Sequence, residues 1–207
     1  MTSQSKHIVL VTTTHLSTNP RLLKEANALS AQGYRVTVLS CYTIKWGYDA
    51  DQRIIKEAPF NTILVGGTPN KNLRLWHYGR LRRKTCSWFP FIPACRIRMF
   101  ARAYDELLSA AIQLKADLYI GHNLGTLPVV ANAAKKHGVP YAFDAEDFHR
   151  EEAASDAVSN SGKWKRLIEE RYFPGAAYIT AASPLIGAEY QKHFPGQTVA
   201  VINNVFS

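Results

Sequence analysis

The chain contains no apolar run long enough to cross a bilayer, which takes about 20 consecutive apolar residues, and it holds only three cysteines in 207 residues. Cys41, Cys86 and Cys95 form an odd set without CxxC spacing, which excludes a disulfide scaffold and points to free thiols in a reducing compartment. No apolar stretch follows Met1–Lys6, so no secretory leader is visible. Several catalytic signatures are also missing. There is no GxSxG elbow for serine hydrolysis, no HExxH pair for zinc, and no GxGxxG after the first apolar run for a dinucleotide. Acidic residues are absent from residues 71–102, which carry nine of the 25 Lys and Arg, leaving 16 basic residues to face all 16 acidic ones elsewhere. The whole net charge of +9 therefore belongs to one segment and not to the fold at large. A cytoplasmic protein, held peripherally on the inner face of the cell membrane, is the expectation.

What remains is ordinary globular composition, 46% hydrophobic and 20% charged, enough for one large domain. Apolar runs at residues 7–13, 36–39, 62–67, 117–121, 140–144, 177–181 and 198–202 read as strands. Helical patterns at about 20–32, 97–115, 126–137, 163–173 and 183–193 fall between them. Asn19 caps the first, with Pro20 as its opening residue and Gly33 beyond its end. Residues 71–96, with Pro90 and Pro93, read as irregular, and the small polar residues 150–162 as a mobile loop. The alternation predicts an α/β fold: a Rossmann-like parallel sheet flanked by helices. The domain should occupy residues 1–202, with 203–207 (NNVFS) opening a linker.

Two strands run into ionisable clusters, DLYIGHN at 117–123 and YAFDAEDFH at 141–149. In a parallel sheet the carboxyl edge is where ligands bind. His122 is the candidate general base there, with a helix-capping histidine as the plain alternative. Asp144, Glu146 and Asp147 suit sugar-type hydroxyls, although Asp147 reads better as the cap of a helix starting near Phe148. Arg21 would meet a phosphate at a helix N-terminus or lie solvated on it. No metal is expected. In the basic segment, arginines beside Trp76, Tyr78, Trp88, Phe89 and Phe91 fit an anionic membrane or lipid phosphate through Arg80, Arg82, Arg83, Lys84, Trp88, Arg96 and Arg98. A structural loop is the alternative, and single-stranded nucleic acid is the least favoured partner.

The stretches TNPRLLKEANAL (18–29), GYRVTV (33–38), ADLYIGHN (116–123), Leu127-Pro128, DAEDF (144–148) and NNVF (203–206) together resemble the N-terminal half of a family 4 glycosyltransferase, the retaining nucleotide-sugar-dependent group with the GT-B fold. The likeness runs from about residue 7 to the end. It implies an acceptor-binding half whose partner domain, absent here, takes the nucleotide-sugar donor, so the fragment alone should be inactive. It implies a hexosyltransferase for cell-envelope polysaccharide or a lipid-linked acceptor, without cofactor. It places His122 beside the transferred sugar and His15, Asn19, Arg21, Asn123, Asp144, Glu146 and Asp147 on the acceptor side. Where many members have a Gly-Gly loop after the first strand, this chain has Thr13-Thr14-His15. Alternatives are a GT-B sugar-nucleotide epimerase half, or a non-catalytic module that binds membrane or nucleic acid through 71–102.

Overall fold

The computed structural model describes residues 5–151 and 159–204. Its elements alternate in sequence. They run β1 (His7–Thr12), α1 (Pro20–Ala31), β2 (Arg35–Cys41), α2 (Lys45–Glu57), β3 (Asn61–Val65), α3 (Leu73–Trp88), α4 (Pro93–Phe100) and α5 (Tyr104–Leu114). They continue with β4 (Leu118–His122), α6 (Leu127–His137), β5 (Tyr141–Ala145), α7 (Asn160–Tyr172), β6 (Ile179–Ala181), α8 (Pro184–His193) and β7 (Val199–Val201). The seven strands lie in the order β3-β2-β1-β4-β5-β6-β7, each paired parallel to its neighbour. The winding direction reverses between β1 and β4, where a doubly wound sheet opens a crevice at its carboxyl edge.

Alternation along the strands sorts the core. Ile8, Leu10, Val36, Val38, Ile120 and Ala142 face Leu22 and Ala26 of α1. Val9, Val11, Leu39 and Tyr119 face Leu107 of α5 and Val129, Val130 and Ala133 of α6. Val9, Leu10 and Val11 are all fully buried, each worth about 1.5–3 kcal/mol relative to exposure. Asn19 caps α1 as expected, its side chain accepting from the Leu22 amide at 3.0 Å, and Gly33 turns the chain at φ +83°.

The structure departs from the sequence reading in three places. Helix α2 has no counterpart among the predicted elements, because its buried residues are Gly47 and Asp51 and not an apolar stripe. Residues 71–96 are helical for most of their length: α3 also buries only a glycine and a cysteine, Gly79 and Cys86, so it shows no helical period of apolar residues. Pro90 falls in the α3–α4 turn, and Pro93 opens α4, where a missing N–H costs nothing. The helix expected over 97–115 is therefore two, broken at residues 101–103 where Ala101 is fully buried. The end of α4 presses on the short turn Leu124–Thr126, and a Cβ at Gly125 would lie 2.5 Å from the Phe100 carbonyl oxygen. Of the loop expected at 150–162, residues 152–158 lie outside the described residues, while Ser159 caps α7 through the Gly162 amide at 3.0 Å. At the end of the chain the Asn204 amide donates to the Ala182 carbonyl at 3.1 Å.

Candidate functional site

Strand register builds the site before any side-chain contact is considered. Thr12 lies opposite His122, His122 opposite Asp144, and Asp144 opposite Thr180. Four polar residues thus form one row across β1, β4, β5 and β6 at the carboxyl edge. They continue the positions Leu10, Ile120 and Ala142 that face α1, so helix α1 roofs the row. From that roof Arg21 and Glu25, one turn apart, reach down to it.

Arg21 grips Asp144 with two parallel hydrogen bonds, Nε to Oδ2 at 2.8 Å and Nη2 to Oδ1 at 2.6 Å, and its Nη1 donates to the Ile202 carbonyl at 2.7 Å. The Thr180 hydroxyl donates to the same Asp144 Oδ1. Burial alone would push the Asp144 carboxyl up, but the Arg21, His122 and Thr180 contacts outweigh it and hold the group well below the ordinary carboxylate range. His122 is fully buried. Its Nε2 meets Glu25 Oε2 at 2.7 Å, while Nδ1 stands 3.4 Å from Asp144 Oδ2 and 3.7 Å from Glu146 Oε1. The first contact is a formed hydrogen bond, and the other two are longer than one and act through charge. Burial would lower the imidazole pKa, yet the surrounding Asp144, Glu146 and Glu25 reverse the sign and keep it well above its ordinary value. The three carboxylates around His122 thus favour the charged form of its ring.

Arg21 is not the solvated arginine of the plain alternative: its side chain is 9% exposed. Asn123 flanks the row, its Oδ1 accepting from the Thr12 hydroxyl at 2.7 Å, at a backbone φ of +74° that a non-glycine residue rarely adopts. His15, Asn19 and Asp147 are not brought into the row. His15 is buried beneath α2, with Nδ1 2.8 Å from Asp51 Oδ2 and Nε2 accepting from the Thr43 and Ile44 amides at 2.9 and 3.1 Å. An Nε2 that accepts twice fixes the Nδ1–H tautomer, so His15 holds a loop. For Asp51, burial opposes ionisation but the bonds from His15 and Ser17 prevail and depress its pKa. Asn19 has its side-chain oxygen on the α1 cap. Asp147 is exposed, and it is its carbonyl that accepts, from the Tyr190 hydroxyl and the His149 amide.

Glu25 and Thr180 were not singled out in the sequence. A signal existed for Glu25: it stands four residues after Arg21 on a helix whose apolar residues Leu22 and Ala26 face the sheet, so both charges had to border the core. Thr180 carried none.

A cavity of about 440 Å³ opens beside the row, lined by Arg21, Glu25, Leu29, Asp144, Thr180 and Asn203 among others. His122, Asp144 and Glu146 bring three metal-capable atoms within 4.8 Å of one another. Asp144 commits both oxygens to Arg21 and Thr180, so the trio offers a cation two donors and an adjacent guanidinium, a poor fit. Carboxylates and a bidentate arginine beside a largely apolar hollow do suit a polyol, with apolar walls for its ring faces.

The basic segment divides by partner. Arg82 pairs with Asp105 at 2.8 Å and Glu106 at 2.6 Å, Arg98 pairs with Asp105 at 2.6 Å, and Arg96 bonds the Pro90 and Phe91 carbonyls. These three are engaged within the protein itself. Arg80, Arg83 and Lys84 are exposed, with Arg80 stacked 4.7 Å from the Trp76 ring and Lys84 6.0 Å from Trp88. Trp88, Phe89, Phe91 and Ile92 form an exposed apolar tip between α3 and α4. Among the described residues no helix is long and apolar enough to cross a membrane.

The same architecture occurs in solved glycosyltransferase structures. Sucrose-phosphate synthase of Thermosynechococcus elongatus superposes with a TM-score of 0.60 at 12% identity, covering 96% of this chain and 48% of that one. UGT89C1 of Arabidopsis thaliana, solved with UDP-L-rhamnose, gives 0.58 at 12% identity over 99% of this chain and 54% of that one. MurG of Acinetobacter baumannii gives 0.51 at 16% identity over 98% and 47%. At such identities the likeness shows the fold, a Rossmann-like half of the GT-B type, and the chain spans about half the length of these proteins. No curated protein matches it in sequence. The profile of the glycosyl transferase 4-like domain, however, matches residues 18–204, and the chain belongs to that family.

Proposed function

We propose that this chain is the N-terminal, acceptor-side half of a retaining glycosyltransferase. It would receive a sugar from a nucleotide-sugar donor held mainly by a second domain and pass it to a cell-envelope glycan or lipid-linked acceptor. The observation that carries the reading is the row Thr12–His122–Asp144–Thr180 at the β1/β4 switch point, in a chain of the glycosyl transferase 4-like family. Neighbours of the same fold were solved with UDP or UDP-L-rhamnose, which supports a nucleotide sugar as the donor. His122 acts as a fixed positive charge that steadies anionic character developing at the departing phosphate. Asp144 and Arg21 lock its setting, and Glu146 and the second oxygen of Glu25 can accept from sugar hydroxyls. Asn123 shapes the floor. No metal or cofactor enters this scheme.

Membrane attachment belongs to the same proposal. Trp88 and Phe91, 64% and 68% exposed, sit beside Arg80, Arg83 and Lys84, the pairing of apolar tip and basic flank that an anionic bilayer surface takes. A cytoplasmic enzyme docked on the inner membrane face fits this arrangement.

The test is release of nucleoside diphosphate by the full-length protein from a panel of nucleotide sugars with membrane-derived acceptor. His122→Ala should lower the rate on the order of a hundredfold while the protein stays folded. A full-length protein that turns over no nucleotide sugar, or a folded His122→Ala variant with unchanged turnover, would refute the assignment.

A further inference from the structure

Helix α3 carries a second stripe that the crevice does not use. His77, Arg80, Lys84 and Ser87 follow one another at spacings of three, four and three, so they share one face, while Arg82 points the other way to Asp105 and Glu106. With Arg83 and Arg102 they line a basin of about 590 Å³ whose wall, among the described residues, carries no carboxylate. Arg102, half-buried in the basin wall, donates to the carbonyls of Tyr42 at 2.8 Å and Trp76 at 3.4 Å. Burial, and then its neighbours Arg80 and Arg83, push its pKa down, against the opposing pull of Cys41 and Glu106. Positive charge is thus concentrated where, among the described residues, no acidic side chain lines the wall.

The basin also has a direction. A smaller hollow of about 210 Å³ shares Arg83 and Arg102 with it and is lined by Thr13, Thr14, Cys41 and Thr43, at the carboxyl ends of β1 and β2. Thr13 follows Thr12, the first member of the crevice row. A ligand anchored on α3 could therefore extend to the edge where transfer is placed. Four cations, Arg80, Arg83, Lys84 and Arg102, outnumber the two to three charges of a diphosphate, and guanidinium forks match its oxygens.

We infer that this basin binds the diphosphate group of the acceptor and orients the rest of that molecule along Thr13 and Thr14 toward the crevice. The word acceptor rests on the glycosyltransferase reading, whereas the anion site itself does not. Calorimetric titration of the 207-residue chain with inorganic pyrophosphate at low salt tests it. Replacing Arg80, Arg83 and Lys84 together by Gln should weaken binding about tenfold or more. The control triple Arg53→Gln, Lys135→Gln and Lys136→Gln removes equal charge from exposed positions elsewhere and should change it less than about threefold. Displacement of pyrophosphate by phosphatidylcholine vesicles containing phosphatidic acid assigns the site to a lipid-borne phosphate, and no displacement assigns it to a soluble one. Absence of pyrophosphate binding, or equal losses in the two triple variants, overturns the inference. Turnover of nucleotide sugar by the full-length protein is measured separately, so a failed anion site and a failed enzyme assignment cannot be confused.

Discussion

Arg21 and Asp144 stand 123 residues apart and meet in a bidentate pair whose side chains are 9% and 3% exposed. A buried pair of this kind contributes little net stability over apolar replacements, yet removing one partner strands the other charge. Arg21→Gln is therefore expected to cost about 3–5 kcal/mol in urea unfolding, whereas Arg21→Met with Asp144→Leu should recover most of that loss. If the single variant were as stable as the wild type, the pair would be solvated in solution. The residue scale is also where sequence reasoning reached its limit. His122 and Asp144 were legible because a strand that turns ionisable at its carboxyl end is unusual. What surrounds them was not, since a sequence does not show that α1 lies above β4 and β5. Nor does it show that Glu25, 97 residues from His122, stands 2.7 Å from its Nε2.

At the scale of elements, the strands and α1 were legible because apolar period and capping agreed, and α2 and α3 were not, because each packs through polar or small residues. Helix α2 is fastened by Asp51 to His15, and α3 by Arg82 to the start of α5. The α3–α4 tip supports a direct prediction. Trp88→Ser with Phe91→Ser should reduce partition onto anionic vesicles at least tenfold, since each ring is worth about 1.5–3 kcal/mol on burial, and should leave the melting temperature nearly unchanged because both are exposed. Unchanged sedimentation with vesicles would remove the tip from membrane docking. Helix α7 supplies another. Glu169 is buried against Tyr190, whose hydroxyl donates to Oε1 at 2.9 Å, with Arg150 Nη1 3.7 Å from Oε2. Burial dominates and raises the Glu169 pKa to about 7. The folded state thus holds this proton more tightly than the unfolded chain does. Its contribution is full below the unfolded value of 4.5 and is lost as pH rises toward 7. Glu169→Gln should remove that slope and stabilise the domain at pH 8 by at most about 3 kcal/mol, read from unfolding curves at pH 5 and pH 8.

Over the whole molecule, the buried groups Asp144, Glu169 and His122 each tie stability to pH, and their signs can be added. Asp144 is depressed, so its stabilisation is present above the unfolded value of 3.8 and disappears as pH falls through its folded one. Glu169 loses its contribution between 4.5 and about 7. His122 is raised, so its stabilisation is full below 6.5 and disappears as pH rises through its folded pKa. All three are satisfied together only near pH 4, between the unfolded values of 3.8 and 4.5, and stability should peak there, well below the sequence pI of about 9.5. Net positive charge argues the other way, since repulsion among surface cations relaxes as pH climbs toward the pI. The two effects separate by salt. Exposed charges are screened beyond about 8 Å at about 0.15 M salt, whereas a fully buried imidazolium among carboxylates is screened far less. Thermal unfolding followed from below pH 4 to pH 9 at low and high salt should show a shoulder toward high pH that shifts with salt and an acid-side maximum that does not. In the His122→Gln, Glu169→Gln double variant the loss above pH 5 should flatten while the acid limb, which belongs to Asp144, remains. A maximum near the pI in the wild type, unchanged by that double substitution, would mean that the surface and not the crevice governs the fold's response to protons.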